Sequence, residues 1–252
     1  LINKKKKKEM TKLQLLSPQE HGQLRIIQGE YLDPSFAVNL STVMVSELAF
    51  LAHEYPLFFY KSARSGEFQL AALLGFESGQ NLFLDNGNWM SRYVPLDIQR
   101  RPFQLHVPDA SAVNHASIQT GVPTSGHLAI DPTSPQFSET KGESLYNDDS
   151  SATVTLLHYQ TLFSHLLSAS EQTRSVIATL VQHELLEAIE LNVTLKNGDI
   201  TLNDLYAVNV KKLNGLTGET LQACHDKGVL QVCHLLMSSG AHLEMMIERA
   251  NK

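Results

Sequence analysis

The chain has 252 residues, 42% of them hydrophobic and 18% charged, a balance that suits a globular protein and excludes wholesale disorder. The formal net charge is −6, but without the lysine run at 4–8 there are 15 basic residues against 26 acidic ones, a net charge of −11. An acidic body repels phosphate backbones, which argues against nucleic acid as a partner.

Residues 1–12 read as a disordered basic tail, because nothing apolar accompanies the lysines. Residues 13–252 read as one domain, β-rich over 13–107, loop-rich over 108–150 and helical over 151–252. Ser17, with Glu20 three residues on, marks a helix start. Leu24, Ile26 and Ile27 follow as a short strand. Met44, Val45, Leu48 and Leu51 recur at helical spacing, so 43–54 is expected to be a helix that ends near Pro56. From 56 to 95 the pattern predicts a meander of at least four short strands. Leu57-Phe58-Phe59-Tyr60 is the first, and Asn86-Gly87 makes a tight hairpin between the last two. Residues 97–107 look extended, with Ile98, Phe103, Leu105 and Val107 apolar. Residues 108–150 read as a long loop with ordered patches such as Leu128-Ala129-Ile130.

In the helical part, Val154, Leu157, Leu162 and Leu166 share one face over 151–167. Ser168 and Glu171 form a capping-box pattern that predicts a second helix over 169–191. Asn197-Gly198 predicts a hairpin within 195–202. Thr217 is placed to cap a helix ending at Gly228, and a last helix runs over 229–250. The expected fold class is α+β, an antiparallel meander from the first half packed with helices from the second. The two cysteines, Cys224 and Cys233, fit a reducing compartment. The lysine run leads into polar residues rather than an apolar leader. The apolar run at 70–76 is far short of the about 20 residues that span a bilayer. A cytoplasmic protein with no membrane span is therefore expected.

One block is basic and aromatic within this acidic chain. Trp89, Arg92, Tyr93, Arg100, Arg101 and Phe103 lie close together in sequence. Guanidinium groups grip carboxylates in bidentate fashion and stack on rings, so these six residues are the candidate ligand-binding set. The competing reading pairs an arginine with Asp85 or Asp97 and makes Trp89 a hairpin core residue.

Metal chemistry is poorly served. In Cys224-His225 and Cys233-His234, neighbours on a helix point about 100° apart, so a pair rarely faces one ion. His158 and His165 share a helix face. His183, Glu184 and Glu187 would add an i,i+4 pair on the next helix, which leaves a metal-dependent enzyme as the alternative. No cofactor or metal and no catalytic residue is expected.

Many segments resemble the SapC-like family of bacterial proteins in order and spacing. They include Glu20-His21, Ser46-Glu47-Leu48, His53-Glu54-Tyr55-Pro56-Leu57-Phe58-Phe59 and Ala72-Leu73-Leu74-Gly75-Phe76. Gly87-Asn88-Trp89, Tyr93-Val94-Pro95, Ile98-Gln99-Arg100-Arg101-Pro102-Phe103 and Leu205-Tyr206 continue the pattern. The resemblance covers most of the chain and implies an association with bacterial surface-layer systems. It carries over no catalytic residue. A peptide-transporter permease that shares the name would need spanning helices. The expected function is a non-catalytic accessory protein that recognises an acidic small ligand, a peptide or a partner protein. A surface-layer or secretion-associated component is a further alternative.

Overall fold

The computed structural model describes residues 13–63, 65–106 and 127–252. The basic tail 1–12, Val107 and the loop segment up to 126 lie outside the described residues. The first strands and helices are β1 (Gln14–Leu15), α1 (Pro18–His21), β2 (Arg25–Ile26) and β3 (Leu40–Thr42). A 3-10 turn at Val45–Glu47 leads into α2 (Leu48–Leu51), β4 (Leu57–Lys61) and β5 (Phe68–Leu73). Next come β6 (Leu84–Asp85), β7 (Asn88–Trp89), α3 (Leu96–Gln99), β8 (Gln104–His106), β9 (His127–Ile130), β10 (Phe137–Ser138) and β11 (Glu143–Ser144). The second half holds α4 (Val154–Gln182), β12 (Leu186–Leu195), β13 (Gly198–Val208), α5 (Val210–Asn214), α6 (Gly218–Asp226), α7 (Val229–Ser239) and α8 (His242–Ala250).

The fold is α+β, as the sequence predicts, but the sheet is shared between the halves. Its strand order is β12-β13-β4-β5-β3, antiparallel throughout. The β12–β13 hairpin from the second half thus docks on β4, where Leu205 faces Tyr60 and Tyr206 faces Phe59. This corrects the expected four-stranded meander. β4 and β5 pair within the main sheet, whereas β6 and β7 form a separate two-stranded ribbon. The ribbon's turn is as expected, with Asn86 and Gly87 at φ 48° and 79°. Two small sheets, β1-β9-β8 and β10-β2-β11, recruit strands from the expected loop. Residues 96–99 are helical, so only the end of the expected extended segment over 97–107 is a strand. The expected helix over 43–54 shortens to the 3-10 turn and α2, and the closing helix divides into α7 and α8 at Gly240 and Ala241.

The largest correction concerns 151–191. One helix of 29 residues, about 44 Å long, replaces the two expected. Ser168 does not cap a new helix, because its hydroxyl donates back to the His165 carbonyl within α4 at 3.0 Å. The helix stops at His183 through a Schellman motif. The Glu184 N–H donates to Val181 O at 3.1 Å and the Leu185 N–H to Leu180 O at 2.9 Å. Glu184 takes φ +52° to close it, and Leu185 is fully buried behind it. Glycine is the usual residue there, so the sequence carries no visible stop.

Helix α4 links two cores. Its first half packs Tyr159, Leu162 and Phe163 against Ile26, Phe103, Ile130 and Leu145. Its second half sends Val176 and Leu180 into the larger core, with Leu51, Tyr55, Phe59, Leu73 and Val232. A non-glycine residue in the left-handed region costs about 1 kcal/mol, which glycine recovers. Glu184→Gly is therefore expected to raise the melting temperature by about 2 °C, measured by circular dichroism. A lower melting temperature would show that the exposed Glu184–Lys212 ion pair outweighs the backbone strain.

Candidate functional site

The six residues singled out from the sequence fall into three places. Arg100 and Arg101 stand three and four residues after Asp97, so a single helical turn aims both at one carboxylate. Arg100 Nη2 lies 2.6 Å from Asp97 Oδ1, and Arg101 Nη2 lies 2.6 Å from Oδ2. Their other donors go to backbone carbonyls, Arg100 to Phe103 at 3.2 Å and Arg101 to Asp97 at 3.1 Å and to Ser35. Burial pushes the Asp97 carboxyl up, and the two guanidinium groups outweigh that and hold it below the ordinary range. Phe103 is fully buried, edge-on to Phe137 with ring centres 5.5 Å apart. These three residues brace the interior.

Trp89 and Arg92 open onto a cavity of about 600 Å³. The Trp89 Nε1–H donates to the Tyr55 hydroxyl at 2.8 Å, which fixes the indole at the cavity wall. Glu54 accepts the backbone N–H groups of Arg92 at 2.7 Å and Tyr93 at 3.2 Å, so its oxygens hold the 91–93 turn. The same cavity is lined by His53, His242 and Arg249. The His242 Nε2 lies 3.0 Å from the Ala52 carbonyl, which makes that nitrogen the protonated donor. The Arg249 guanidinium sits 4.6 Å from the centre of the Phe83 ring. Among the described residues, neither Arg92 nor Arg249 forms an ion pair. His242 and Arg249 went unnoticed in the sequence. Their i,i+7 spacing marks a shared face of α8, but nothing local says what that face meets.

Tyr93 turns the other way. Its ring stacks on Phe50 at 5.2 Å, and its hydroxyl donates to Glu47 Oε1 at 3.3 Å. Glu47 is 2% exposed and also accepts the N–H groups of Leu96 and Met44, each at 2.8 Å. Burial outweighs these hydrogen bonds and pushes the Glu47 carboxyl up to about 7. Burial also raises the Tyr93 hydroxyl, and Glu47 raises it further. Both residues line a second cavity of about 530 Å³, with His165 and Gln172 of α4 on its far side.

The SapC family model matches residues 16–246. The chain belongs to the SapC family. No curated protein and no solved structure matches it. The SapC match spans all three sites, so the Trp89 cavity, the Asp97 brace and the Glu47 pocket all lie within the family region.

Within this SapC chain the residues weighed for metal binding do not gather. Among the described residues no three His, Cys, Asp or Glu side chains converge as ligands. His158 and His165 are exposed on α4, and Glu187 lies on β12 instead of a helix, so the expected i,i+4 pair with His183 does not form. Cys224 and Cys233 are buried free thiols in the larger core, and burial pushes the Cys233 thiol up to about 12. No described helix is long and apolar enough to cross a membrane.

Two measurements follow from the charges. Asp97→Ala leaves two partly buried guanidinium groups without their acid and is expected to cost about 3 kcal/mol of unfolding free energy in urea. A loss under about 1 kcal/mol would show that the pair is solvated rather than structural. Glu47 has the opposite sign. Its folded value lies above its unfolded value of 4.5, so its contribution is present at low pH and lost as pH rises toward and through about 7. The wild type should lose up to about 3 kcal/mol between roughly pH 5 and pH 8, and Glu47→Gln should flatten that slope. An unchanged slope in the variant would remove Glu47 as its source.

Proposed function

We propose that this chain is a non-catalytic accessory protein whose Trp89 cavity binds an acidic small molecule or an acidic side chain of a partner. One observation carries the reading. Two arginines, Arg92 and Arg249, flank one cavity in an acidic protein without a carboxylate partner among the described residues. A cation in such a body is ordinarily paired, as Arg100 and Arg101 are. The cavity supplies the remaining parts of an anion site. Trp89, Met90 and Met245 give apolar surface, and His53 and His242 give further nitrogen atoms at the wall. Glu54 is held by backbone donors, which spread part of its charge. Its size, about 600 Å³, is that of small-ligand pockets. The buried free thiols fit an activity in a reducing compartment.

Calorimetric titration with citrate, glutamate and a short capped poly-glutamate peptide tests the proposal. At least one should bind, more weakly as salt rises. Arg92→Ala and Arg249→Ala should each weaken that binding by about tenfold or more. Arg92 is exposed, so its variant should melt with the wild type. Absence of binding across the three probes, or binding untouched by both substitutions, would overturn the assignment.

A further inference from the structure

A third cleft lies between β5 and α4, and none of its lining residues belongs to the Trp89 cavity. Its backbone shows what it is shaped to take. Along β5, residues alternate in which neighbour they face. The Ser62 N–H to Glu67 O bond and the Leu73 N–H to Pro56 O bond, both 2.9 Å, direct the odd-numbered residues to β4. The Val43 N–H to Leu70 O bond at 2.9 Å and the Leu74 N–H to Asn39 O bond at 2.7 Å direct the even-numbered ones to β3. That second ladder stops early. Past Val43 the chain leaves the sheet, and the Val45 N–H donates to Thr173 Oγ1 on α4 at 3.0 Å instead. The next even residue, Phe68, is thus left with its N–H and C=O facing an open side, bonded to no described residue.

The space in front of that rung is a cleft of about 520 Å³ between β5 and α4. Its walls are apolar, with Val43 and Leu70 from the sheet side and Ile177 and Val181 from the helix. Two charges mark the rim, Arg174 on α4 and Glu67 just before β5, and neither forms an ion pair among the described residues.

We propose that this cleft binds an extended segment of a partner protein, which adds to β5 at Phe68 as a short strand. The segment places an apolar side chain between Leu70 and Ile177 and a carboxylate against Arg174. A donor and an acceptor on one residue, spaced for a strand, call for a peptide bond in the ligand. A compact apolar ligand would leave both unmet. The rim charges give the segment a direction, since Glu67 repels an acid that Arg174 attracts. The site is independent of the Trp89 cavity, so each can fail alone.

The probe is a pooled set of short capped peptides that alternate valine or isoleucine with serine and carry one aspartate at each position in turn. Binding to the full chain is read by fluorescence anisotropy and by amide hydrogen exchange. At least one register should bind and protect the Phe68 amide. N-methylation of that peptide should abolish binding at the one residue paired with Phe68 and be tolerated at the residues on either side of it. Replacing its aspartate by lysine, or introducing Arg174→Glu, should weaken it by about tenfold. Ala178→Trp, on the exposed lining of the cleft, should block it without lowering the melting temperature, while Arg249→Ala should leave it unchanged. Four results would overturn the proposal: no peptide binds, the Phe68 amide stays unprotected, no single N-methylation abolishes binding, or a second copy of the chain occupies the cleft.

Discussion

A carboxylate taken out of water must be given donors, and Glu47 is the one whose donors organise its surroundings. The Met44 N–H starts the turn after β3, the Leu96 N–H starts α3, and the Tyr93 hydroxyl comes from the segment between them. Three stretches of chain are thereby fixed around one acid. Desolvation keeps the arrangement under tension, because the ionised form that the donors prefer is the form that burial penalises.

The consequences run outward along hydrogen bonds. The Tyr93 carbonyl accepts from the Tyr55 hydroxyl, which in turn accepts from Trp89. The indole at the proposed ligand cavity is therefore connected to the Glu47 pocket through a buried polar chain. Tyr55 is fully buried, and burial raises its hydroxyl to about 12, so it stays a neutral donor across the physiological range. On the other side, placing α3 on Glu47 places Asp97, and Asp97 collects Arg100 and Arg101. The same acid thus settles why two of the chain's arginines are structural. Arg92 and Arg249 sit outside that network.

Helix α4 is the second organising element. At about 44 Å it is long enough to pack one end on the smaller core and the other on the main sheet. Its Thr173 hydroxyl accepts the Val45 N–H and so ends the β3 ladder. That one hydrogen bond separates two cavities along the helix, the Glu47 pocket on one side of the 3-10 turn and the apolar cleft on the other. The hairpin that follows α4 then closes the far side of the sheet. The buried Ser239 hydroxyl, 3.0 Å from the Leu57 N–H, ties α7 to the start of β4.

Local chemistry was legible in the sequence. Asn86-Gly87 specified its turn, because positive φ is a property of a residue and its neighbour. The second hairpin forms as expected but turns at Lys196 and Asn197, with Gly198 already paired to Leu195. The α+β class and the family followed from patterns of the same short range, as did the buried strand 57–60. The expected helix face held only in part: Leu162 and Leu166 are buried, whereas Val154 and Leu157 are exposed and Leu156, Tyr159 and Phe163 take their place. Tertiary structure decided what those signals could not reach. A Schellman stop at Glu184 rests on the burial of Leu185, so the helix end and the strand after it were hidden behind a helical pattern. The Ser168 and Glu171 pattern reads as a cap only if the chain is free to break there, and packing on two cores keeps it continuous. Arg100 and Arg101 looked available because sequence counts charges without their geometry, and one helical turn lets a single Asp97 meet both. Arg249 and His242, over 140 residues from Trp89, entered the site only when α8 folded back beside the β6–β7 ribbon. Distance along the chain carries no information about such a meeting, and burial of apolar faces alone brings it about.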